Sequence, residues 1–490
     1  MKSNSRRMLQ GFAVAIVGAA LVLLNSCRPG EEAPAPDAVA RIGDYVITKA
    51  ELKQRLAQEV RPRRDSYNLP RPPVTAEAVL KKMVAEQAIA LEGRQLGYLD
   101  DEMLRSSVNR FRIRQLVQTY VTDYVMENVP VPEAEVEELV AADPNLSREQ
   151  AEMRVRSKNA GPMMNAYYDQ LLEKFNVEKL KENFPKASRI YQRLRTQPKE
   201  PRARSVFWVM NKQIRNELSD QEKQIVLARY TGGELTLYDW FDALGQIAPP
   251  GRPKDLNTAA GVEKLLDRAL RPFIWEAEAV AHGYDQNEEL LQKVRTREDM
   301  SVLGMARREK YKELLDPNDE EIKAFYDAHP EAFAKPASLK VEQVWCPDLE
   351  TAEKARQMLT EGASFESVNG AHGLRQNQKP HSVYPGSEGV FWDDLYGAEP
   401  NDVVGPLRGF YEAGIKWRVV RILEKTPPEM SPYSDALKNQ VQSALMTQRR
   451  EKLMADYEAQ MLAKHRYEVY ADRIADIDPL EVTPVDESGR

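Results

Sequence analysis

Between residues 76 and 97 apolar side chains fall at 79, 80, 83, 84, 88, 91 and 96. That spacing lays one apolar stripe along a helix, and Gly97 supplies the residue that best accepts the left-handed turn closing a helix. Upstream, residues 39–56 read as a short strand pair running into a helix. Val46 and Ile47 end the strand, Thr48 can cap, and Glu51 stands three residues on, as a capping box requires. Beyond an Arg/Pro loop at 61–73, helices are predicted over 76–97 and 101–127. A further acidic helix begins at Glu133, after Pro130 and Pro132, and a long one runs over 148–177.

The order then recurs. Gly232-Gly233-Glu234-Leu235-Thr236-Leu237-Tyr238-Asp239-Trp240 echoes the strand-to-helix phrase, 262–283 echoes the glycine-terminated helix, and 319–333 echoes the acidic one. A second long helix spans 433–469. This self-similarity predicts an internal duplication, with an insertion at 336–427 in the second copy only. Inside the insertion Leu339 to Trp345 alternates as a strand and 349–361 reads as a helix. Gly362-Ala363-Ser364-Phe365, a glycine-punctuated stretch at 385–391 and Asn401 to Pro406 follow, before a β-branched strand from Trp417 to Glu424.

Composition narrows the chemistry. The 490 residues are 42% hydrophobic and 30% charged, with net charge −7. That excludes a multi-span membrane protein and a chain disordered throughout, and it gives no general pull toward nucleic acid. Two cysteines and five histidines leave no disulfide framework and no multi-cysteine zinc site. No P-loop, zincin helix, nucleophile elbow or EF-hand loop occurs, and no cofactor is expected. Glu278 and His282, four apart on a helix, read as a surface pair rather than a metal site, and Cys346 as a buried or edge thiol. Residues 189–215 carry eight Lys/Arg and one acid, Glu200, with Tyr191, Phe207 and Trp208 interleaved. They read as a solvated linker, or else as a surface for anionic lipid or a client chain.

The N-terminus sets the expected compartment. Lys2, Arg6 and Arg7 precede an apolar run from Gly11 to Leu24, too short for a membrane span and suited to a signal-peptide core. It ends in Leu24-Asn25-Ser26-Cys27, which resembles the bacterial lipobox. The resemblance implies cleavage before Cys27 and multiple acylation, and several acyl chains are what stable anchoring needs. The Pro/Ala/acidic stretch from Arg28 to Ala38 then reads as a flexible tether.

Ile42-Gly43-Asp44-Tyr45-Val46-Ile47-Thr48-Lys49-Ala50-Glu51-Leu52, together with the 79–97 helix, resembles the N-terminal chaperone domain of SurA/PrsA/PpiD-type foldases. The insertion resembles a parvulin (PpiC-type) peptidyl-prolyl isomerase domain. Parvulins lower the barrier of about 18–20 kcal/mol to rotation about X–Pro bonds. The resemblance implies a proline pocket and a polar cluster with one histidine on the first strand, one on the last, and an acidic or Cys residue between them. Gln343 and Arg418 stand at the two histidine positions, and the pocket segment is shortened to 392–399. His372 and His381 match neither family histidine.

The predicted fold is therefore α+β and multidomain: a mostly helical, duplicated chaperone-like region with an inserted parvulin-like domain. Its expected parts are a signal peptide 1–26, tether 27–38, helical repeats 39–200 and 201–335, parvulin-like domain 336–427, returning helix 428–470 and acidic tail 471–490. The expected function is a foldase, anchored through Cys27 on the periplasmic face and at the outer membrane ahead of the inner one. Its partners would be unfolded exported polypeptides, without nucleic acid. An active prolyl isomerase using Gln343 and Arg418, or a scaffold for one envelope partner, are the alternatives.

Overall fold

The computed structural model describes residues 36–62, 69, 72–143, 146–375, 379–412 and 414–481. The signal peptide, Cys27 with most of the tether, and the end of the acidic tail lie outside them. The fold is α+β and mostly helical.

The first half opens with a hairpin, β1 (Ala38–Ile42) and β2 (Tyr45–Thr48), and α1 (Lys49–Glu59). The Thr48 hydroxyl accepts from the Glu51 N–H, and the Glu51 carboxylate accepts from the Thr48 N–H at 2.8 Å, so the predicted capping box is in place. Then come α2 (Ala76–Gln95), α3 (Glu102–Asn128), α4 (Glu133–Ala142), α5 (Arg148–Lys174) and β3 (Glu178–Lys179). Gly97, at φ +75°, makes the turn between α2 and α3. After α6 (Phe184–Thr196), α7 (Asn211–Glu217) and α8 (Asp220–Lys223) the order repeats. β4 (Val226–Tyr230) and β5 (Gly233–Thr236) form a hairpin, followed by α9 (Leu237–Gly245), α10 (Ala259–Ala281), α11 (Glu288–Tyr311) and α12 (Asp319–Ala328). Thr236 and Asp239 rebuild the capping box, and Gly283 at φ +77° rebuilds the turn.

The inserted domain holds β6 (Ser338–Cys346), α13 (Leu349–Thr360), α14 (Phe365–His372), β7 (His381–Val383), α15 (Pro385–Glu388), α16 (Trp392–Tyr396), β8 (Val403–Tyr411) and β9 (Gly414–Thr426). Its antiparallel sheet runs β7-β6-β9-β8. One face packs on α13 and α14 through Val344, Cys346, Leu359, Phe365 and Val419. The other carries Leu339, Val341, Val420 and Ile422 against Leu395. The two chain crossings into and out of this domain are bridged: the Lys335 N–H donates to the Glu429 carbonyl at 2.8 Å, and the Glu429 N–H donates to the Lys335 carbonyl at 3.2 Å. α17 (Asp435–Lys464) and β10 (Tyr467–Val469) end the fold.

Each half is finished by the other. β10, from the far end of the chain, pairs with β1, while β3, from the first half, pairs with β4. The two junctions match in detail, since Arg41 faces Glu468 and Arg229 faces Glu178. The helices follow suit. Ile89 of α2 packs with Ala306 of α11 and Met454 and Tyr457 of α17. Trp275 of α10 packs with Tyr120 of α3 and Tyr168 and Leu171 of α5. Each hairpin unit thus buries its apolar face against the long helix and the return helix of the opposite half.

Two readings from sequence need correction. Residues 189–215 are no solvated linker, because Ile190, Tyr191, Leu194, Val209 and Ile214 join the core around Trp240 and Phe241. Glu278 and His282 do pair, at 3.1 Å, but Glu278 is buried rather than at the surface. Its carboxylate also accepts from Tyr167 at 2.7 Å and Lys174 at 2.5 Å.

Candidate functional site

Alternation along β6 and β9 puts Gln343, Trp345 and Arg418 on the sheet face away from α13, in the register that sets Trp345 opposite Arg418. Both residues singled out from sequence are brought together there. Arg418 Nη1 donates to Gln343 Oε1 at 3.0 Å, and the guanidinium carbon lies 4.9 Å from the Trp345 ring centroid. Arg418 is 1% and Gln343 5% exposed.

Two residues not anticipated complete the cluster. Arg418 Nη2 donates to Glu388 Oε2 at 2.5 Å, and Glu388 is itself buried. Gln343 Nε2 lies 2.9 Å from His381 Nε2, and His381 Nδ1 lies 3.2 Å from the Lys379 carbonyl. Gln343 has used its oxygen on Arg418, so its amide N–H donates to His381, whose Nδ1–H then donates to Lys379. Glu388 sits in the glycine-punctuated stretch, and Gly389 at φ +55° turns the chain away directly behind it. Gly409 on β8 makes room: a Cβ there would collide with the Arg418 guanidinium and stand 2.7 Å from the Trp345 ring.

Chemically the cluster is a closed series of hydrogen bonds. A buried guanidinium is neutralised by one carboxylate and stacked on an indole. Of its polar atoms only Arg418 Nε lacks a hydrogen-bond partner among the described residues. Cys346 offers no nucleophile, since burial pushes its thiol up to about 11. Among the described residues no group of three or more His, Cys, Asp or Glu could hold a metal ion.

Residues 317–438 match the family model of the PPIC-type PPIASE domain. This part of the chain is a PPIC-type domain. The match takes in α12 as well as the inserted sheet. Among solved structures, a SurA-like chaperone of Campylobacter jejuni is 11% identical, with 52% of this chain and 96% of that chain covered and a TM-score of 0.23. The foldase protein PrsA from Streptococcus pneumoniae is 15% identical over 42% and 80%, TM-score 0.24. The peptidylprolyl isomerase PrsA from Bacillus cereus is 17% identical over 50% and 93%, TM-score 0.21. No curated protein is significantly similar to the chain. Within the PPIC-type domain, Glu388 and His381 left little signal in the sequence. Glu388 lies in what reads as a loop, and His381 reaches Gln343 only through the pairing of β7 with β6.

Proposed function

We propose that this chain is an extracytoplasmic foldase, held to the outer membrane through acylated Cys27, that binds unfolded exported polypeptides without a cofactor. On this reading its PPIC-type domain has exchanged catalysis for structure. The observation that carries it is the Arg418–Glu388–Gln343–His381 cluster. Rotation about an X–Pro bond is helped by polar groups free to meet the twisted amide, and here they are bonded to one another, with Arg418, Gln343 and Glu388 buried. The helical frame, taken as repeats over 39–200 and 201–335 closed by 428–470, is the holding surface. It exposes flexible apolar side chains on several helices, among them Met126, Met153 (63% exposed) and Met300, which suit adaptable contact with irregular apolar segments.

A protease-coupled proline-peptide assay beside an aggregation assay tests this. Acceleration of isomerisation should stay below about twofold, on a bond that otherwise turns over in tens to hundreds of seconds. Suppression of aggregation should survive deletion of 336–427, whose ends the Lys335–Glu429 bridge already holds together. Marked acceleration that disappears in Gln343→Ala and Arg418→Ala would establish the isomerase instead, and loss of suppression on deletion would remove the helical frame as the holding surface.

A further inference from the structure

Phe207 is 94% exposed and Trp208, beside it, 39%. Single exposed apolar side chains are ordinary, but this pair is adjacent and firmly presented. Ala203 and Val209, on either side, are buried, and the Val209 carbonyl accepts from Arg252 Nη1 at 2.7 Å. The loop is therefore anchored to the core of the second half while its rings stand in water.

The chain leading into the loop is rich in exposed cations. Lys186, Arg189 and Arg195 on α6, and Lys199, Arg202 and Arg204 after it, are exposed. None of the six has an ion-pair partner among the described residues. The acid within 189–215, Glu200, is paired with Lys212 at 2.8 Å. In a chain of net charge −7 this is a local reversal of sign.

We propose that the 206–208 loop, with Arg202 and Arg204, is a docking surface for a membrane of anionic phospholipid. The occupant follows from exposure and charge together. At 94% exposure Phe207 has no walls around it, so it does not line a groove that could enclose a client segment. It gains apolar surroundings only by entering its partner. A bilayer interface accepts aromatic rings at headgroup depth and sets a plane of phosphates beside them for fixed cations. This contact is separate from acylation at Cys27 and from client binding.

The test uses the chain from residue 28, which keeps every described element, sedimented with vesicles of phosphatidylcholine alone or with about one quarter phosphatidylglycerol. Binding is expected on the anionic vesicles only, and it should be lost at several-fold higher salt. Arg202→Glu with Arg204→Glu should lower partitioning about tenfold or more. Phe207→Ser, at a position too exposed to matter for folding, should lower it several-fold. All variants should suppress aggregation as the unsubstituted chain does. Equal binding to both vesicle types, or partitioning that ignores these substitutions, overturns the proposal. Unchanged partitioning with weakened aggregation suppression would assign the surface to client chains. A wild-type chain that suppresses no aggregation but still binds anionic vesicles would sink the foldase reading and leave this one standing.

Discussion

Lys464 Nζ donates to the Glu92 carboxylate at 2.7 Å across 372 residues of sequence, and Lys174 does the same to Glu278 at 2.5 Å across 104. Both lysines end a return helix. Both glutamates stand five residues before the glycine, Gly97 or Gly283, that turns the chain out of α2 or α10. The same brace is built twice, each time between opposite halves.

These braces should make stability depend on acidity. Hydrogen bonds from Lys464 and His465 hold Glu92 below the ordinary glutamate value of 4.5. Burial raises Glu278, but the bonds from Lys174 and Tyr167 outweigh it and hold that group low too. A depressed carboxylate stabilises the fold above its unfolded value and loses that contribution as pH falls through the folded one. Glu278→Gln should therefore cost about 1.5–3 kcal/mol at pH 7 and much less in acid. Urea melts at both pH values would show it, and an equal cost in acid would contradict it.

Removing residues 431–490 takes away α17 and β10. The first half then loses its third strand, the Met454 and Tyr457 contacts of Ile89 and the Lys464 partner of Glu92, while β3–β4–β5 keeps all its strands. Hydrogen exchange should show amides of 38–95 unprotected and those of the second sheet still protected. Retained protection in α2 would refute this dependence.

Arg418→Ala should be among the most destabilising substitutions in the PPIC-type domain. It strands the buried Glu388 carboxylate, and breaking such a pair costs about 3–5 kcal/mol. Replacing both partners by apolar residues, Arg418→Met with Glu388→Leu, should recover most of the loss, because a well-packed apolar pair can be as stable as a buried ionic one. Chemical denaturation of the single and double variants gives the answer. A double variant no better than Arg418→Ala would rule out the pairing as the cause.

Cys346 should resist alkylation. Its thiol is buried and pushed up to about 11, so at pH 8 little thiolate forms and the reagent finds no path. In the chain from residue 28 it is the remaining cysteine. Labelling should therefore follow global unfolding and accelerate at the urea midpoint, whereas fast labelling in the native state would show an open β6 face.

The locally encoded features were legible. Thr48 with Glu51, and the glycines at 97 and 283, announce a cap and two turns within a few residues of themselves, while the cap of Thr236 with Asp239 was contained only in the echo at 232–240. In the PPIC-type domain β6, α13 and β9 were legible, whereas α14, β7 and α15 read as loop and only the 401–406 phrase marked where β8 starts. The resemblance implied that the 428–470 helix returns to the first half, but the reciprocal crossing of the first return helix into the second half was not legible. Each return helix has the same apolar face whichever half receives it, and the choice is made by contacts hundreds of residues away. Glu278 was misjudged for a related reason, since a glutamate four residues from a histidine looks solvated until Lys174 and Tyr167 arrive from another helix. In the site, Gln343 and Arg418 were singled out because the strand phrases that carry them align with the two histidine positions of the resembled family. Glu388 was not, because its inward aim depends on the turn at Gly389.

Arg473 Nη1 donates to the Ala38 carbonyl at 2.7 Å, closing a span of 435 residues. In a chain made N-terminus first, the strand β1 is thus among the earliest segments to emerge and among the last to be satisfied. Until then its edge stays unpaired and the apolar face of α2 uncovered, and closing so long a loop is slow. A protein read as a guardian of unfinished chains is itself unfinished until its final residues emerge. It would need shelter during its own biogenesis for longer than its size alone suggests.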